Sequence, residues 1–107
     1  MSTKIEIPSG ASGFAEDKDE ARLLRTSKIL PSLERKNHVE LDFSNIRYAT
    51  QSYIHALIGE ALQKFGESAL ELIVFKNCTD SVRSVIELVV DYSLGGFPDG
   101  KAGRVAS

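Results

Sequence analysis

The sequence predicts an α/β fold: a small, mostly parallel β-sheet with helices mainly on one face. Three observations carry this reading. Val39, Leu41 and Phe43 alternate with Glu40, Asp42 and Ser44, the period-two pattern of a strand with one side in a core. Ile54, Leu57, Ile58, Ala61, Leu62 and Phe65 recur at steps of three and four, which places them on one stripe of an α-helix. Strand and helix patterns then alternate along the chain in the order strand, helix, strand, helix, strand, helix, which implies right-handed crossovers between parallel strands. Glu40 and Asp42 on one face of the central strand argue that helices do not cover both sides of the sheet.

Composition limits what such a fold can be. The 107 residues, 42% of them hydrophobic, suffice for one domain with a single core, and a chain of this size buries roughly two-thirds of its unfolded surface. Residues 1–92 are read as that domain and residues 93–107 as a flexible C-terminal tail. The net charge of -2 comes from interspersed signs, so no basic face argues for nucleic acid and no polybasic segment for a membrane surface. One cysteine, Cys78, excludes an intrachain disulfide, and two histidines offer no multi-ligand metal cluster. The start MSTKIEIPSG has neither a signal-like apolar core nor a spanning segment, so a cytoplasmic location is expected.

Residues 3–7 suit a short strand with Ile5 and Ile7 facing the core, stopped by Pro8. Residues 9–21, SGASGFAEDKDEA, read as a loop running into a helix capped by Asp17 or Asp19. That helix is expected from about residue 18 toward 35, docked through Leu23, Leu24, Leu30 and Leu33, with a kink or break between residues 29 and 31 because Pro31 removes a backbone donor. The central strand follows, and the next helix begins near Thr50 and ends at Gly66. Residues 66–69 read as a turn, and 70–77, LELIVFKN, as a buried interior strand. Thr79 caps the last helix, whose buried stripe is Val82, Val85, Ile86 and Val89. In the glycine-rich end, SLGGFPDGKAGRVAS, Phe97 is the residue equipped to dock.

In a parallel sheet, the loops after the carboxyl ends of the strands share one edge, the usual place for binding. Thr50, Gln51 and Ser52 fall there after the second strand, and Asn77, Cys78 and Thr79 after the third. Ser52, His55 and Gly59 line up beside the buried stripe of their helix. Gly59 admits either a close backbone approach or ordinary packing. Ser52 admits two readings, a capping-region hydroxyl or a phosphate-accepting, partner-contacting serine. A phosphate there would sit among free helix N–H groups, which tolerate negative charge. A serine hydrolase finds little support: no glycine elbow surrounds Ser52, His55 is its only nearby base, and His38 precedes a different strand. Cys78 at a helix entrance is either a small apolar filler or a thiol of lowered pKa, and Asp42 is a lone carboxylate.

The run LDFSNIRYATQSYIHALIGEAL, with FKNC and the valine-rich last helix, resembles the STAS superfamily of sulphate transporter and anti-sigma factor antagonist domains, closest to its STAS-like branch of unknown function. The likeness spans about residues 21–92. It implies a bacterial, non-enzymatic regulatory module without a cofactor, acting through protein–protein interaction. In anti-sigma factor antagonists a serine or threonine at the start of the corresponding helix is phosphorylated by a histidine-kinase-like ATPase that also binds that surface. By this resemblance Ser52 takes the place of the phosphorylated residue, with Thr50, Gln51, His55 and Gly59 as partner-binding candidates. Thr50 stands where the family has an aspartate, and Tyr53 where it has a glycine. A histidine-kinase-like ATPase is the implied partner, and a homodimer is compatible with the sequence. The alternative is a ligand-sensing domain for nucleotides or lipids, using the same strand-end edge.

Overall fold

The computed structural model describes residues 2–8 and 13–94. Among these the elements run β1 (Ser2–Glu6), β2 (Phe14–Ala15), α1 (residues 18–34), β3 (His38–Asp42), β4 (Tyr48–Ala49), α2 (residues 51–65), α3 (Glu67–Leu72), β5 (Ile73–Lys76) and α4 (Asp80–Ser93). β1, β3 and β5 form a parallel sheet with β3 in the middle. The register sets Ile5, Leu41 and Phe75 side by side on one face, with Thr3, Val39 and Ile73 in the next row. Val39 and Leu41 are fully buried there, each contributing about 1.5–3 kcal/mol by leaving water. The other face carries Lys4, Glu40 and Val74 in one row and Glu6, Asp42 and Lys76 in the next. It is polar and largely exposed, with Lys76 Nζ 3.5 Å from Glu40 Oε1. The sheet is thus parallel, with its apolar face turned to the helices, as the alternation in β3 predicts.

Asp17 caps α1, accepting the backbone N–H groups of Asp19 and Glu20 at 3.0 and 3.3 Å. Pro31 does not break this helix. A π turn, Arg25–Ile29, precedes it, in which the Leu30 N–H reaches back to the Arg25 carbonyl, and the wider turn accommodates a residue with no N–H. That turn also rotates the buried stripe. Ala21, Ile29 and Leu33 are buried at multiples of four residues, whereas Leu23 is 65% exposed. The expected docking through Leu23 is therefore corrected: a uniform 3.6-residue period does not hold across a π turn. Leu24 and Leu30 pack partly against the core. A hydrogen bond of 2.8 Å between Thr3 and Ser32 side chains ties α1 to β1.

In α2 the stripe Ile54, Leu57, Ile58, Ala61 and Leu62 is buried and Phe65 half-buried, as its spacing requires. Gly66 ends it at φ 65° and ψ -146°, a region essentially restricted to glycine. The next segment departs from expectation. Residues 67–72 are helical, so Leu70 and Leu72 belong to α3, and β5 is a four-residue edge strand with Val74 40% exposed. A short apolar run has no period that separates strand from helix, and Ala, Leu and Glu favour helix. α4 is capped by Thr79, which accepts the Val82 N–H at 3.1 Å, and it buries Val82, Ile86 and Val89. It continues to Ser93, itself buried, so the expected tail boundary at residue 93 falls inside the helix. Residues 95–107, including Phe97, lie outside the described residues.

A second, two-stranded parallel pairing joins β2 to β4, Phe14 opposite Tyr48 and Ala15 opposite Ala49. The Arg47 N–H donates to the Gly13 carbonyl at 2.8 Å, and the Thr50 N–H to the Ala15 carbonyl at 3.0 Å. This clasp joins the two segments that lead into α1 and α2, so the two helices start side by side.

Candidate functional site

The side-by-side start of α1 and α2 leaves a groove of about 440 Å³ lined by Lys18, Arg22, Arg25, Gln51, Ser52, His55 and Ala56. α1 supplies the cations because Lys18, Arg22 and Arg25 are spaced by four and three residues, which puts them on one helix face. α2 supplies Gln51, Ser52 and His55, all exposed, from its first turns. The two π turns, Arg25–Ile29 and His55–Gly59, lie in these two walls and contact each other. Such turns are frequent at functional sites.

Thr50 is the N-cap of α2: its hydroxyl oxygen accepts the Tyr53 N–H at 3.0 Å. Ser52 is thereby relieved of capping, and among the described residues its exposed hydroxyl makes no hydrogen bond. Gln51 lies beside it, without a side-chain hydrogen bond among the described residues. Tyr53 points inward and is fully buried. It leaves the surface at Ser52 unobstructed. Its phenol has no hydrogen-bond partner among the described residues, and burial, with Glu20 and Asp17 adding, holds its pKa above the ordinary tyrosine value.

Gly59 is explained by His55. A Cβ on Gly59 would stand 2.9 Å from His55 Cδ2 and 3.1 Å from Nε2, so the imidazole occupies the space a side chain would need. Gly59 itself is buried; of the expected line Ser52, His55, Gly59, the first two reach solvent and the third seats the ring.

Arg25 is the most fixed of the groove cations. Its side chain is 15% exposed, Nη1 donates to the Ala56 carbonyl at 3.2 Å, and Nη2 lies 3.3 Å from Glu60 Oε1. Arg22 pairs with Asp19 at 3.0 Å, both side chains well exposed, a pair worth less than about 1 kcal/mol. The spacing of these three cations is visible in the sequence, but nothing in it marks them as one wall of a groove. What made them a site was the position of α2, set by the β2–β4 clasp. The same clasp displays a second feature, the tilted ring contact of Phe14 with Tyr48, centroids 5.4 Å apart, both rings more than two-fifths exposed.

The sequence profile of a family described as STAS-like domain of unknown function (DUF4325) matches residues 20–83. The chain belongs to that family. No curated protein and no solved structure matches it. In this STAS-like domain the matched span holds β3, the clasp strand β4, all of α2, and the groove residues other than Lys18.

The second strand-end corner is built differently. Asp42, at the end of β3, accepts on Oδ1 from Asn77 Nδ2 and from the Ser44 N–H, each at 2.9 Å. These bonds, the Asn77 one foremost, hold its carboxyl below the usual carboxylate range. Thr79 Oγ1 donates to the Arg47 carbonyl at 3.0 Å, joining this corner to the clasp. Cys78 is half-buried, and burial pushes its thiol pKa up, outweighing the opposing effect of Arg83. Its thiol is therefore less ionised than a free one at neutral pH. His38 stands at the opposite end of β3 from Ser52's corner. Among the described residues, no three His, Cys, Asp or Glu gather as metal ligands, and no helix is long and apolar enough to cross a membrane.

Proposed function

We propose that this STAS-like domain is a non-enzymatic regulatory module that binds another protein through the surface bearing Gln51, Ser52 and His55. In this reading Ser52 is phosphorylated by a histidine-kinase-like ATPase partner, as in the anti-sigma factor antagonists it resembles. The observation that carries it is the uncommitted hydroxyl of Ser52 at the first turn of α2, with Thr50 already serving as the cap. A phosphate at that position adds negative charge where the helix dipole favours it, so the fold is retained while the surface changes sign. The exposed Phe14 and Tyr48 rings on the neighbouring clasp offer the apolar contact area that protein interfaces use. Incubation with a candidate ATPase and ATP, followed by intact mass, tests it: a gain of one phosphate that Ser52→Ala abolishes is expected. No gain, together with partner capture indifferent to both Ser52→Ala and Ser52→Asp, would remove the switch.

A second reading, a ligand-sensing domain for nucleotides or lipids, is favoured by the groove of about 440 Å³ beside Ser52, whose cations suit the phosphate of a nucleotide or of a lipid headgroup. Thermal shifts across a nucleotide and lipid panel test it, and a flat response argues against it.

A further inference from the structure

The groove has a chemical bias that the chain as a whole does not have. The protein carries a net charge of -2, yet the groove lining holds Lys18, Arg22, Arg25 and His55 with the amide and hydroxyl of Gln51 and Ser52, and no carboxylate is among the lining residues. Lys18 makes no ion pair among the described residues. Among the described residues Arg22 is held only by its exposed contact with Asp19. Arg25 is fixed at 15% exposure by the Ala56 carbonyl on Nη1 and Glu60 on Nη2, which leaves the second proton of each Nη uncommitted among the described residues. A planar guanidinium held in place, two exposed cations and small donors on the facing wall make up the donor set that phosphate oxygens select. The first amides of α2, at Gln51 and Ser52, have no acceptor within their own helix and add to the positive potential.

We propose that this groove is a binding site for a phosphate monoester group, held by Lys18, Arg22 and Arg25 with Gln51, Ser52 and His55 on the facing wall. The inference gives the ligand-sensing reading its chemistry and in that sense rests on it. Two sources supply the same group: a free phosphorylated small molecule, or the phosphate of a modified Ser52 on the same chain. A lipid tail or an uncharged nucleoside does not match the lining.

The test is a ¹H–¹⁵N NMR titration of the full chain with inorganic phosphate and, separately, O-phosphoserine, at constant ionic strength set by chloride. Saturable shifts at residues 18–25 and 51–56, with an affinity lowered about tenfold or more in the Lys18→Gln/Arg22→Gln variant, are expected. Both side chains are exposed, so this variant keeps the fold, which an unchanged melting temperature verifies. Non-saturating shifts, or saturable shifts that the double variant leaves intact, overturn the proposal. Shifts caused by an uncharged nucleoside or a fatty acid but not by phosphate overturn it too, while leaving ligand sensing standing. A chain carrying phosphoserine at position 52 separates the sources. Groove amides already at their phosphate-saturated positions assign the group to the chain's own modification, and amides that still titrate assign it to a free ligand.

Discussion

The imidazole of His55 rests on Gly59, one helical turn along the same wall of the groove, 2.9 Å from where a Cβ would stand. A glycine inside a helix costs about 1 kcal/mol relative to alanine, and here it seats a ring. Gly59→Ala is expected to displace His55 into solvent while changing stability by less than about 1 kcal/mol, because the propensity gain offsets the lost ring contact. The His55 ring resonances, followed by NMR beside a urea melt, check both halves. Unmoved resonances would show that the ring does not depend on Gly59.

Thr50 and Ser52 are separable by the same kind of melt. Thr50→Ala removes the acceptor of the Tyr53 N–H and is expected to cost about 1 kcal/mol, the usual worth of an N-cap. Ser52→Ala removes a hydroxyl that is exposed and unbonded among the described residues, and such surface changes stay within about 0.5 kcal/mol. Equal losses at the two positions would return Ser52 to the role of a capping residue.

Tyr53 is fully buried, and its phenol is unpartnered among the described residues. Tyr53→Phe keeps the packing and deletes an oxygen that gains nothing from the fold, so stability is expected to hold or to rise by about 1 kcal/mol. A loss larger than that would mean that the hydroxyl is bonded in solution, and thermal melts of the two proteins decide it.

Asp42 gives the pH dependence a sign. Asn77 and Ser44 bond the charged form of its carboxyl and hold it below the usual carboxylate range. A depressed folded-state pKa contributes stability that is fully present above the unfolded value and is lost as pH falls through the folded one. Asp42→Ala should therefore destabilise at pH 7, and the gap to the parent protein should narrow as pH drops below about 3.8. Denaturation midpoints measured between pH 6 and about 2.5 test this; a gap that widens with acid would contradict it.

The legible parts were those with a period. Val39, Leu41 and Phe43, the α2 stripe, the start of α2 near Thr50 and the Thr79 cap follow from residue types and their spacings, and the structure places them accordingly. The π turn before Pro31 was not legible in detail, and it moved Leu23 from the expected core contact to the surface. The strand start at residue 70 failed because LELIV is too short for its pattern to distinguish a last helical turn from a strand. β2 and β4, two residues each, are too short to carry any pattern. The basic groove was half legible. Lys18, Arg22 and Arg25 announce a cationic helix face, but the residues opposite that face depend on pairing between segments 34 positions apart.

That pairing gives the molecule a separate clock for its surface. The β2–β4 ladder has two residue pairs flanked by the Arg47 and Thr50 amide bonds, whereas β1 and β3 share five pairs over a buried core. Short ladders open by local fluctuation at free energies well below global unfolding. The amide protons of Arg47 and Thr50 should then exchange with solvent sooner than those of Val39 and Leu41. Whatever occupies the groove and bridges its two walls would slow that exchange without touching the clasp itself, so a partner or ligand leaves its signature on hydrogen exchange at residues it never contacts.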